Sequence, residues 1–141
     1  MTQKLVSFTD CADAFSDSLE KIAGSKSAPS DAQIAEARHA LDKLDKACAD
    51  LAGQDAPSRY AAAQQAFDNA MNDYSGAIKK CRALLDFYSG YDELYRQFSD
   101  PAKGRAEIEK RERAVYLEFA QAMQKATESF RAACEKFDKV K

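Results

Sequence analysis

Apolar residues recur every three or four positions along most of the chain, and this spacing indicates amphipathic helices. The first stripe runs from Leu5 to Ile22 in alternating steps of three and four residues. Stripes with similar spacing follow at 34–51, 60–88 and 116–140. The pattern therefore predicts four helices, at about residues 3–23, 31–52, 57–98 and 101–140.

Local signals mark where two helices begin and where one is interrupted. Ser30 is followed three residues later by Gln33, which is the spacing of a capping box at the start of the second helix. Asp100 before Pro101 is typical of a helix start, because aspartate caps the first turn and proline fits within it. The third stripe loses its spacing near Gly90, which predicts a kink or short break there.

The lengths of the helices determine the expected architecture. At about 1.5 Å per residue, the third and fourth helices each reach about 60 Å and the first two about half that length. A stripe with steps of three and four in every helix is typical of coiled-coil-like packing. We expect an all-α fold, an antiparallel up-down four-helix bundle of two short and two long helices, forming a single domain over residues 1–141.

The composition agrees with a folded helical protein and excludes several other classes. Of the 141 residues, 45% are hydrophobic and 31% are charged, with a net charge of -2, which excludes intrinsic disorder. Five glycines and three prolines are too few for a turn-rich β-sandwich or barrel. The sequence offers neither a signal-peptide core nor an apolar run of the roughly 20 residues that span a membrane. We therefore expect a cytoplasmic protein.

The long third and fourth helices extend beyond the short pair and form a hairpin with many large apolar side chains. Two helices alone cannot bury so many, so the hairpin either meets a partner or folds back at Gly90. Tyrosine is enriched at the centres of protein interfaces. We expect a protein partner, in the simplest case a second copy in a homodimer. The predicted interface consists of Phe87, Tyr88, Tyr91, Leu94, Tyr95, Phe98, Ile108 and Tyr116.

Charge is distributed unevenly along the chain. Residues 1–75 carry a net charge of -5, and residues 76–141 carry +3. Acidic side chains are interspersed among the basic ones, so helical pairs such as Glu107 with Arg111 and Glu109 with Arg113 are expected. The same acids would repel phosphates and disfavour nucleic acid as a partner. The predicted basic tip of the hairpin consists of Arg96, Lys103, Arg105, Lys110, Arg111 and Arg113.

Paired long helices with a basic tip resemble, at the level of architecture, the crescent-shaped dimers of the BAR superfamily. The resemblance covers residues 57–141 and rests on helix length and tip charge. It implies binding to an anionic membrane surface, as an alternative to the protein partner. A second alternative is a small ligand or metal held in the core of the bundle.

Catalytic motifs are not found in the sequence. His39 is the only histidine and lies off the apolar stripe of its helix, so neither a catalytic triad nor the paired Glu-x-x-His motifs of a di-iron site can be assembled. An antiparallel bundle would bring Cys11 and Cys134 to a similar level, but the four cysteines lack zinc-binding spacing, and we expect ordinary packing. We therefore expect a non-enzymatic adaptor, scaffold or chaperone without a cofactor.

Overall fold

The computed structural model describes residues 2–23, 29–53 and 57–140, and within these ranges the chain is helical and has no strand. The prediction of an all-α fold is confirmed. A short 3-10 turn at Ser58–Tyr60 precedes the third helix. The five α-helices are α1 (Thr2–Ala23), α2 (Asp31–Leu51), α3 (Ala61–Ser89), α4 (Tyr91–Arg96) and α5 (Pro101–Asp138).

The predicted capping signals are present at the starts of α2 and α5. The Gln33 backbone N–H donates to the Ser30 hydroxyl at 3.1 Å, and the Ser30 N–H donates back to the Gln33 side chain at 3.0 Å. The Asp100 carboxylate accepts from the backbone N–H of Ala102 at 3.0 Å, and Pro101 occupies the first turn of α5. Both helices therefore start with backbone donors that are satisfied by side chains.

The expected third helix, residues 57–98, is divided. Its first turn is 3-10, because the Tyr60 N–H bonds to the carbonyl of Pro57, three residues earlier, at 2.8 Å. A second change occurs at Gly90, whose φ of -94° and ψ of 8° separate α3 from α4. The chain thus has five α-helices in the described ranges where the stripes indicated four.

The helices pack in chain order: α1 on α2, α2 on α3, and α3 on α5. Along α3 and α5, contacts join Phe67 to Phe137 and Tyr88 to Glu112, so α3 and α5 run in opposite directions. Fully or nearly fully buried alanines repeat every seven residues on both helices, and small side chains let helix axes approach closely. The alanines are Ala63, Ala70 and Ala77 on α3 and Ala126 and Ala133 on α5.

The core follows the predicted apolar stripes of α1, α2 and α3. Each large side chain buried there contributes roughly 1.5–3 kcal/mol relative to leaving it exposed. The largest fully buried side chains of the three helices are Phe8, Phe15, Leu41, Leu44, Leu51, Phe67, Leu84 and Leu85.

Aromatic rings, rather than closely packed backbones, connect α1 to α5. The ring of Phe8 lies 4.9 Å from that of Phe130, and the ring of Phe15 lies 6.4 Å from that of Phe119. Among the described residues, α1 and α5 are not one of the helix pairs whose backbones pack closely. The side of the fold between α1 and α5 is therefore open.

The far end of the hairpin packs on itself. The side chain of Phe98, just after α4, covers Gly104 in the first turns of α5, and Ile108 is fully buried one turn later. The short helix α4 contacts both α3 and α5. No helix in the described ranges has the length and apolar character needed to cross a membrane.

Gly76 in α3 and Gly104 in α5 can each be replaced with alanine, and we expect the two changes to have opposite effects on the stability of the protein. A Cβ at Gly76 meets nothing within 4 Å, whereas at Gly104 it would lie 2.8 Å from the Cβ of Phe98. We expect Gly76→Ala to raise the free energy of unfolding by about 1 kcal/mol, because alanine is the better helix former. Gly104→Ala should lower it, because Phe98 must move.

Chemical denaturation of both variants and the unchanged protein measures these differences. Equal stability of Gly104→Ala and Gly76→Ala would contradict the close approach of α4 to α5.

Candidate interaction site

An open trough lies between α1 and α5, with a volume of about 520 Å³. At its base are Phe15 of α1 and Phe119 of α5, both buried, beside the half-buried Leu19 and Met123. We call this cavity, with the residues that line it, the α1–α5 trough. Its remaining lining residues are Ser16, Tyr116, Ala120, Gln124, Thr127, Glu128 and Arg131.

Two smaller cavities continue the trough towards the hairpin, and both share Tyr116. One, of about 130 Å³, reaches Leu84 and Tyr88 on α3. The other, of about 440 Å³, is lined by Tyr88, Tyr116, Glu109, Glu112 and Arg113. The combined depression follows α5 from Glu109 to Arg131, a helical length of about 33 Å.

Tyr116 belongs both to an apolar stripe and to the predicted hairpin interface. Its spacing puts it in an apolar stripe with Phe119, but its side chain is 48% exposed and the neighbouring Leu117 is 54% exposed. Phe119, three residues on, is the buried member of the pair. Because α1 does not close over this part of α5, Tyr116 forms the rim of the trough rather than part of the core.

Several charged side chains along the trough have no ion-pair partner among the described residues. The predicted pair of Glu107 with Arg111 forms at 3.2 Å, but Glu109 and Arg113 do not pair with each other. Glu109, Arg113 and Arg131 are exposed and make no ion pair within the described part of the chain. Both signs of charge therefore line the depression and remain available.

One polar contact fixes the hairpin end of the depression. The Tyr88 hydroxyl donates to the Glu112 carboxylate at 2.9 Å. Burial, reinforced by that carboxylate, raises the pKa of Tyr88 above its usual value. Tyr88 therefore remains a neutral donor and holds Glu112 towards α3.

The predicted hairpin interface is only partly accessible. Tyr91 packs against Phe87 and Tyr95, with ring centroids 6.0 and 5.1 Å away. Burial and a hydrogen bond with Tyr95 raise the pKa of Tyr91 to about 12. Ile108 is fully buried within its own chain. Six predicted side chains are half-buried, namely Phe87, Tyr88, Tyr91, Leu94, Tyr95 and Phe98.

The predicted basic tip is solvent-exposed but is not a uniform patch. Arg96 lies 3.5 Å from Glu93, and Arg111 pairs with Glu107. Of the basic tip, only Arg113 lines the depression described above. All six predicted side chains are exposed: Arg96, Lys103, Arg105, Lys110, Arg111 and Arg113.

The side of the fold between α2 and α3 differs from the open side between α1 and α5, because ion pairs connect α2 to α3. Arg38 contacts Asp86 at 2.8 Å, and Arg82 contacts Asp42 at 2.9 Å and Asp45 at 3.2 Å. Such exposed pairs contribute about 0–1 kcal/mol each, so they orient the helices more than they stabilise them.

The four cysteines are all unpaired, and His39 is exposed. Within residues 2–23, 29–53 and 57–140, no three His, Cys, Asp or Glu side chains converge in a way that could hold a metal ion. Burial raises the pKa of Cys48 and of Cys81 to about 12. These two thiols are therefore neutral and enclosed at physiological pH.

Comparisons of this chain with protein-family models, with curated proteins and with solved structures found no match. What the site can do therefore follows from its geometry. The α1–α5 trough presents aromatic rings and a methionine at its base, with polar and charged groups along its rim.

The helical register predicts different reactivities for the cysteines. Cys48 and Cys81 are buried, and burial raises the pKa of each to about 12. Cys11 and Cys134 are half-buried, and partial burial also raises the pKa of Cys134. Because the thiolate is the nucleophile, iodoacetamide at pH 8 should modify Cys11 and Cys134 first. Mass spectrometry of peptides over time measures the order.

The denatured protein is the control, in which all four thiols should react at similar rates. Early modification of Cys48 or Cys81 in the folded protein would contradict the placement of α2 and α3.

Proposed function

We propose that this protein is a cytoplasmic, non-enzymatic interaction protein that binds a second copy of itself through the α1–α5 trough. We further propose that its fold is an antiparallel up-down four-helix bundle, with α3 and α4 together forming one of the two long members. The opposed contacts of α3 with α5 and the pairing of α1 with α2 support this arrangement.

The observation that carries the proposal is the length and openness of the trough. The depression follows about 22 residues of α5, or about 33 Å, which is the length of a helix such as α1. A site for a small molecule encloses most of its ligand, whereas this depression opens to solvent along its length. Tyr116, which lines the depression, and its chain neighbour Leu117 are among the large apolar side chains most exposed in the described chain.

The charges along the trough favour a second copy over an anionic membrane. Glu109 and Glu128 accompany Arg113 and Arg131, so the lining carries both signs. An anionic surface would meet the two glutamates unfavourably. A second copy supplies an arginine for each glutamate and a glutamate for each arginine, as an interface between identical subunits requires.

Charging the rim of the trough tests the proposal. Tyr116→Glu puts a carboxylate where the partner would cover an aromatic ring, so we expect dimerisation to weaken by at least about tenfold, or ~1.4 kcal/mol. Val6→Glu is the matched control, because Val6 is 54% exposed on α1 and does not line the trough.

Sedimentation over a concentration series measures the monomer–dimer equilibrium of each protein, with circular dichroism to verify folding. A monomeric wild-type protein throughout the series would contradict the proposal, as would a Tyr116→Glu variant that dimerises normally.

A further inference from the structure

We propose that two α5 helices pair antiparallel across the trough, with the twofold axis passing beside Ala120. This inference rests on the proposed self-association and goes beyond it, because it fixes the orientation and the register of the second copy. It depends on the order of side chains along one face of α5.

The face of α5 that lines the depression has a spacing that reads the same in both directions. Seven of the eleven α5 residues that line the depression advance by four, three and four residues to Ala120, and then by four, three and four again. An antiparallel helix with this sequence therefore presents matching positions when the two copies are centred on Ala120. The seven positions are Glu109, Arg113, Tyr116, Ala120, Gln124, Thr127 and Arg131.

Ala120 suits the position nearest to the axis. Its side chain is small and half-buried, so the two helices can approach each other closely there. Larger side chains lie on either side. In a symmetric pair of helices, the residue at the twofold axis lies next to its own copy. A charged residue at that position would therefore face a like charge.

The charges select the antiparallel orientation. Centred on Ala120, Glu109 faces Arg131 of the partner subunit, and Arg113 lies beside Glu128 of the partner subunit. Symmetry repeats each pair, which gives four attractive contacts. A parallel pair would place each of these residues against its own copy, which gives four repulsive contacts.

The polar groups near the centre can also be satisfied. The Gln124 side-chain amide donates to Glu128 in its own chain at 3.2 Å, which leaves its carbonyl oxygen free to accept. The antiparallel register places this oxygen opposite the hydroxyl of the partner subunit's Tyr116. Glu112, the remaining acid along the depression, is held by Tyr88.

Charge-reversal rescue tests the register. Glu109→Arg and Arg131→Glu each replace two attractions with two repulsions, so each should weaken dimerisation about tenfold, or ~1.4 kcal/mol. The double variant should recover most of that loss. Because residues 109 and 131 are about 33 Å apart on one helix, rescue requires contact between two chains.

A second pair and a control sharpen the test. Arg113→Glu and Glu128→Arg should behave in the same way, singly weakening and together restoring the dimer. Lys136→Glu is the control, because Lys136 is exposed on the opposite face of α5 and should leave the dissociation constant unchanged. Raising the salt concentration should weaken the wild-type dimer, because exposed ion pairs are screened.

The outcomes separate this inference from the proposed function. Weakening by the single changes together with rescue by both double variants supports the antiparallel register. A wild-type dimer whose single variants are not rescued overturns the register but leaves self-association intact. A wild-type monomer overturns both.

Discussion

The aromatic contacts between α1 and α5 are the constraint on which the trough depends. Phe8 packs at 4.9 Å from Phe130, whereas Phe15 and Phe119 are 6.4 Å apart, so the looser contact lies nearer to Tyr116. Rings of this size keep the two helices apart. On the other side of α5, alanines spaced by seven residues let α3 approach closely. The helix α5 therefore packs closely against α3 on one side and leaves the trough beside α1 open on the other.

Under the proposed self-association, this asymmetry would let a largely polar face of α5 act as a recognition surface. The base of the trough supplies apolar area that a partner can cover, and the rim supplies charges that determine which partner fits. The burial of Phe15 and Phe119 serves the core of the monomer. The neighbouring Tyr116 and Ala120 remain for contacts with another helix. In the proposed dimer, folding and binding would therefore use adjacent positions of α5 without competing for the same side chains.

Much of the fold could be predicted from the sequence because local rules determine it. The capping box at Ser30, the start at Asp100 and the break at Gly90 all involve neighbouring residues. The trough could not be predicted in this way. Hydrophobic spacing put Tyr116 in the same stripe as Phe119. The spacing along the sequence does not show which pairs of helices pack closely, so it could not indicate that Tyr116 is exposed. The face of α5 that lines the trough is mostly polar, so its hydrophobic pattern does not distinguish it from an ordinary solvent-exposed helix face.

The most direct test of the central claim is the concentration dependence of amide hydrogen exchange. If the α1–α5 trough is the self-association surface, raising the protein concentration should slow exchange in the C-terminal half of α1 and in residues 109–131 of α5, while exchange in α2 stays unchanged. Protection that appears instead on α2, or exchange that is independent of concentration throughout the chain, would contradict the assignment of the α1–α5 trough as the self-association surface.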